Sequence, residues 1–187
     1  YFSPTEATEC APCPAGYIDH DSDPATPCDA DGHSDATCVA GTYAATGSTE
    51  CASCLPGFAD LDSNPATECS QCTPGHVSNS GATSCTACAL GFADLDSDAA
   101  TACDACEPGS YAAEESTTCV GCVPGEADLD GDASTPCVPC AIGYASIVAA
   151  TMCDACAPGT ADLDAAPATP CDQCVVGRVS GDAAAAC

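Results

Sequence analysis

The chain has no Trp, no Lys, a single Met and one basic side chain, Arg178. Without cations to neutralise phosphates it is no nucleic-acid binder, and anionic membranes are disfavoured for the same reason. Large core-forming side chains are also scarce: 6 Leu, 3 Ile, 9 Val and 3 Phe in 187 residues. The 46% hydrophobic content is mostly 38 Ala and 21 Cys, and alanine buries little area. No stretch approaches the roughly 20 apolar residues of a membrane-spanning helix, so this segment is expected not to insert into a bilayer. With a net charge of −27, such a composition normally means disorder. The 21 cysteines reverse that expectation. At this density they signal a disulfide scaffold made for an oxidising exterior, so the expected location is extracellular or at the cell surface. Tyr1 is not an initiator residue, which leaves room for a leader already removed.

What is present is one repeat. Cys51, Cys85, Cys119, Cys153 and Cys187 are spaced 34 residues apart. Each period reads C-x2-C, fourteen residues, C-x2-C, twelve residues, then the next Cys. This divides the chain into a leading segment 1–9, the end of an upstream module, and five units: 10–50, 51–84, 85–118, 119–152 and 153–187. Unit one is longer, with an insertion at 29–37. Every module opens C-x2-G, from Gly16 and Gly41 to Gly159 and Gly177, which suggests a turn needing positive φ beside the cysteine. Neither helical nor sustained strand periodicity runs through the chain, and Gly and Pro number 16 and 15. The expected fold is therefore a small disulfide-rich repeat array, an elongated rod of stacked C-x2-C modules built from short β-ribbons and turns with almost no helix.

The register narrows the disulfide connectivity. Joining the second Cys of each C-x2-C to the first of the next pairs Cys13–Cys28, Cys38–Cys51, Cys54–Cys69, Cys72–Cys85, Cys88–Cys103, Cys106–Cys119, Cys122–Cys137, Cys140–Cys153, Cys156–Cys171 and Cys174–Cys187. Cys10 is then left awaiting a partner upstream, and the insertion at 29–37 falls harmlessly between two closed loops. An interleaved scheme, Cys51–Cys69 with Cys54–Cys72, leaves unit one irregular. A four-cysteine zinc site at Cys51, Cys54, Cys69 and Cys72 has nearly the right spacing, but it adds negative charge to a chain already at −27. Asp31 also stands where the first unit needs its fourth ligand.

Two stretches, CVAGTYAATGSTECASC (38–54) and CEPGSYAAEESTTCVGC (106–122), resemble the small cysteine-rich modules of tumour-necrosis-factor receptors and ephrin-receptor-like domains. The alternate modules, such as CLPGFADLDSNPATECSQC (54–72), look like a variant found in long surface proteins of algae and other protists. The resemblance implies a rod of stacked, disulfide-closed modules. Receptor modules also carry an interlocked disulfide pair, whereas only the single-loop element repeats here.

The fourteen-residue loops hold a second motif: IDHDSDPAT, ADLDSNPAT, ADLDSDAAT, ADLDGDAST and ADLDAAPAT. Oxygen ligands at positions 1, 3 and 5 open calcium loops. The candidate ligands are Asp19, Asp21, Asp23, Asp60, Asp62, Asn64, Asp94, Asp96, Asp98, Asp128, Asp130, Asp132, Asp162 and Asp164. The glycine and glutamate that complete an EF-hand are missing, and the bland alternative is a solvated turn whose Asp side chains bond their own backbone. Leu61, Leu95, Leu129 and Leu163, between the acids, are expected to pack between modules. Thr26, Thr67, Thr135 and Thr169 stand beside or within two residues of proline in small-residue loops and are candidate O-glycan acceptors.

Catalysis has nothing to stand on: His20, His33 and His76 share no repeat position, and the cysteines belong to the scaffold. The chain is expected to be no enzyme and to require no cofactor, calcium being possible. The leading reading is a structural extracellular repeat protein of a fibre, appendage or cell-surface coat, with copies of itself and O-linked glycans as partners. The alternatives are the stalk or ligand-binding ectodomain of a surface receptor and, more weakly, a calcium-binding matrix protein.

Overall fold

The C-x2-G sequence is a turn in atomic detail. In a computed structural model, which describes residues 11–19, 28 and 38–187, the residue after each glycine donates its N–H three residues back: Thr42 to Val39 O, Phe58 to Leu55 O and Glu126 to Val123 O, each at 3.0 Å. All ten module glycines have φ between +81° and +91°. Positive φ at the third residue of a four-residue turn is the type II pattern, and proline precedes the glycine at 56, 74, 108, 124 and 158, the place where type II turns favour it.

Eight of the ten turns, all but those at Gly16 and Gly177, launch a two-residue strand, and the two residues between the cysteines of the next C-x2-C are its return partner. Thr42–Tyr43 pairs antiparallel with Ala52–Ser53, in the register Thr42↔Ser53 and Tyr43↔Ala52. Phe58–Ala59 pairs with Ser70–Gln71, and Glu126–Ala127 with Val138–Pro139, in the same way. Among the described residues there are eight such ribbons and no helix. A further bond closes each ribbon, as when Cys54 N donates to Gly41 O at 2.9 Å and Cys72 N to Gly57 O at 2.9 Å.

Ten disulfides close the loops, each joining the second Cys of one C-x2-C to the first of the next, from Cys13–Cys28 to Cys174–Cys187. The fold is thus a small disulfide-rich repeat array. Sulfur occupied in this way leaves no four-cysteine zinc site among these residues. Cys10 and the insertion at 29–37 lie outside the described residues.

The core is made of sulfur and methyl groups. The largest fully buried side chains are Cys13, Cys54, Cys88, Cys122 and Cys156, and Ala59, Ala93, Ala127 and Ala161 are 0% exposed. The chain forms two compact units, Tyr1–Ala87 with Ser97–Ala102 and Cys88–Asp96 with Cys103–Cys187. In the first, Ala59, Cys72 and Ala99 cluster against Ala82 and Cys85.

Candidate functional site

The structure sorts the side chains of the acidic loops by direction. The first Asp of the motif turns inward: Asp60, Asp94, Asp128 and Asp162 are only 3–7% exposed. Its carboxylate accepts a backbone N–H from the preceding module. Gly41 N donates to Asp60 Oδ2, Gly109 N to Asp128 Oδ2 and Gly143 N to Asp162 Oδ2, each at 3.0 Å. The same residue's own N–H points forward to the following module: Asp60 to Ala82 O (3.0 Å), Asp94 to Ser116 O (2.9 Å), Asp128 to Ala150 O (2.9 Å) and Asp162 to Ala184 O (2.9 Å). Asp60, Asp128 and Asp162 therefore each bond backward through the side chain and forward through the backbone.

The twelve-residue loops contribute a second such bridge. Ser78 N donates to Ala99 O (3.0 Å) and its carbonyl accepts Gly57 N (3.0 Å); Ser146 N donates to Pro167 O (3.1 Å) and its carbonyl accepts Gly125 N (3.3 Å). The serine hydroxyls add bonds to Phe58 O at 2.9 Å and Glu126 O at 2.8 Å. Where this position is alanine, at Ala44 and Ala112, the backbone bonds persist. Within each unit the modules are laced by the same small set of bonds, repeated.

The leucines between the acids do not pack between modules. Leu61, Leu95, Leu129 and Leu163 are 51–57% exposed. In extended backbone successive side chains point to opposite sides, and a buried amide hydrogen in need of an acceptor outcompetes the apolar contact, because leaving it unpaired costs about 1–3 kcal/mol. The aspartate takes the inner place and the leucine faces out.

The second and third motif positions fold back onto their own loop. Asp62 Oδ1 accepts Asn64 N at 3.0 Å, and Asn64 Oδ1 accepts Ala66 N at 3.1 Å. Asp130 Oδ1 accepts Asp132 N at 3.1 Å and Asp132 Oδ1 accepts Ser134 N at 2.9 Å. Asp98 Oδ1 accepts Ala100 N at 3.0 Å, and Asp164 Oδ1 accepts Ala166 N at 3.1 Å. These are turns in which a short polar side chain imitates backbone. The loop threonines complete them: Thr67 donates to the Asp62 carboxylate at 2.9 Å, Thr135 to Asp130 at 3.1 Å and Thr169 to Asp164 at 3.0 Å. An O-linked sugar on Thr67, Thr135 or Thr169 would remove the proton that makes this bond. Among the described residues, no group of three His, Cys, Asp or Glu side chains is arranged to hold a metal ion. Asp19 belongs to the described part, its N–H donating to Ser48 O at 3.4 Å. Asp21, Asp23 and Thr26 lie outside it.

The donors leave their mark on the acids. The backbone N–H of Asn64, then the Thr67 hydroxyl, holds Asp62 below its ordinary 3.8. The N–H of Asp132 does the same for Asp130. Ser134, through hydroxyl and N–H, lowers Asp132, and the Thr169 hydroxyl followed by the Ala166 N–H lowers Asp164. A carboxyl depressed in the folded state contributes stability above its unfolded pKa and loses it as pH falls through the folded value. Acidification should therefore leave the loops intact down to pH 3.8 and loosen them below it, with the disulfides still closed. Carboxyl-resolved NMR titration should place the Asp62, Asp130, Asp132 and Asp164 midpoints below 3.8, with faster amide exchange at Asn64 and Ala166 beneath them. Midpoints at or above 3.8 would contradict these turns.

The first motif position recurs as Asp19, Asp60, Asp94, Asp128 and Asp162, but the second recurs equally as Asp21, Asp62, Asp96, Asp130 and Asp164, so recurrence alone does not single out the inward side chain. No protein-family model matches the chain, and no curated protein is significantly similar to it.

Disulfide density of this order is typical of secreted and extracellular proteins. Among the described residues no helix is long and apolar enough to cross a membrane.

Proposed function

We propose that the chain is a structural extracellular protein, a repeat segment of a fibre, appendage or cell-surface coat whose copies assemble into a filament. The observation that supports this is the uniform lacing within each unit: the inward aspartate and the bridging residue of the twelve-residue loop make the same backward and forward bonds from repeat to repeat. Catalysis concentrates different groups in one place, whereas architecture multiplies one contact. Repeat arrays contact only their neighbours, and head-to-tail contacts that do not close into a ring produce filaments. The −27 charge opposes association until salt screens it.

Purified native material should appear as filaments in electron micrographs and sediment as large species at seawater-like ionic strength. The filaments should survive denaturant and fall apart under reductant. A single monodisperse monomer under these conditions would overturn the filament and favour a receptor stalk.

A further inference from the structure

On a chain with 28 acidic side chains and one basic one, a surface without carboxylates is a place where two copies can approach. Residues 140–153 contain none, and that module also concentrates exposed aliphatic side chains: Ile147 is 76% exposed, Val148 64% and Met152 62%. The fold does not demand them. The places of Ile147 and Val148 are held in the other twelve-residue loops by Ala45-Thr46, Asn79-Ser80, Ala113-Glu114 and Gly181-Asp182. Ile147 and Val148 line an open groove of about 310 Å³ with Pro124, Ala168 and Pro170, and its one charged lining residue is Asp154. Exposed apolar side chains gathered on a module without carboxylates mark an interaction site.

The complement is a segment pairing aliphatic side chains with a cation, and this chain carries one. Val175, Val176 and Val179 are all exposed around Arg178, the only basic side chain. Arg178 spends one N–H on Cys187 O at 3.3 Å and keeps four of its five donors. We infer that the Val175–Val179 segment of one copy docks in the Ile147–Val148 groove of another, with Arg178 pairing to Asp154. Because the two surfaces differ, the contact is head-to-tail, and it propagates into a filament wherever the rotation between copies does not close a ring. This inference rests on the self-assembly reading and adds the contact itself: the apolar side chains meet in a groove whose one carboxylate, Asp154, is met by the one cation.

The test is sedimentation of the full oxidised chain over a concentration series at roughly 0.5 M salt, where charges more than a few ångströms apart are screened. Wild type should associate. Ile147→Asn with Val148→Ser, which installs the residues of the 72–85 module, should raise the apparent dissociation constant at least about tenfold with an unchanged disulfide map. Arg178→Asp should weaken association similarly, and adding Asp154→Arg should recover most of the loss. Leu55→Ser, at an exposed aliphatic position outside the patch, should change nothing. Undiminished association of the Ile147/Val148 variant, no recovery in the charge swap, or equal weakening by Leu55→Ser would overturn this contact while leaving self-assembly standing. A wild-type chain that stays monomeric at every concentration would remove both.

Discussion

Reduction should unfold this protein completely under conditions where strong denaturant leaves the oxidised chain largely folded. Among the described residues nothing larger than a cysteine is fully buried, so they offer no aliphatic core to hold the chain once the sulfurs part. Each bridge closes a loop with a sequence separation of 13 or 15 residues across a Cα–Cα distance of 5.6–5.7 Å. Constraining a loop of that size contributes about 3 kcal/mol in the chain-entropy model. The apolar term is correspondingly small, because the buried hydrophobic residues among those described are all cysteine or alanine except Ile18. Reduced and alkylated chain should lose amide dispersion by NMR and expand hydrodynamically towards the unfolded size. Removing one bridge, with Cys106→Ser and Cys119→Ser together, should cost about 2–5 kcal/mol and loosen the 106–119 module first in hydrogen exchange. Reduced chain that kept native dispersion and radius would show that the apolar contacts suffice.

The second large effect is expected from one methyl group. Gly109 and Gly91 have nearly identical backbones, with φ +84° and +81°, so alanine suffers the same left-handed penalty at both, about 1–2 kcal/mol. Their surroundings differ. A Cβ at Gly91 would come 3.1 Å from Ser134 N, which would have to give by a few tenths of an ångström, whereas a Cβ at Gly109 would overlap the carbonyl oxygen of Ala149 outright. Gly109 N is also the donor to the buried Asp128 carboxylate at 3.0 Å, so any backbone retreat from Ala149 opens that bond. Overpacking of this kind costs a further 1–3 kcal/mol or so, and the strained amide–carboxylate bond adds to it. Gly109→Ala should therefore lower the thermal midpoint distinctly more than Gly91→Ala, with faster amide exchange at Gly109 and Ala149. Equal effects would mean that φ strain alone governs both positions. The same overlap recurs at Gly41 with Gly81 O and at Gly143 with Ala183 O, whereas a Cβ at Gly177 would meet nothing within 4 Å.

Much of this molecule is local, and the local part was legible in its residues. Cysteine spacing marks the ends of each closed loop, because a bridge needs cysteines that a short hairpin can bring together. C-x2-G announces a turn because the third residue must adopt positive φ, and the two residues before the next Cys have only the outgoing strand to pair with. The lack of helix follows from frequent glycine and proline and the absence of a 3.6-residue period. None of this requires knowing what lies across the fold.

The direction of a side chain does require it. In the Ala-Asp-Leu-Asp motif nothing local says whether aspartate or leucine turns inward, and hydrophobicity alone favours leucine. The tertiary structure reverses that choice because an amide hydrogen 19 residues earlier, on Gly109 for Asp128 and on Gly41 for Asp60, has to be satisfied inside the array. The exposed Ile147–Val148 groove follows the same rule. Its residues could be read, but Pro124, Ala168 and Pro170 come beside them from the two flanking modules, and only stacking makes that surface. Spacing determined the covalent frame and its turns; non-local hydrogen bonds between modules decided which side chains the frame buries and which it presents.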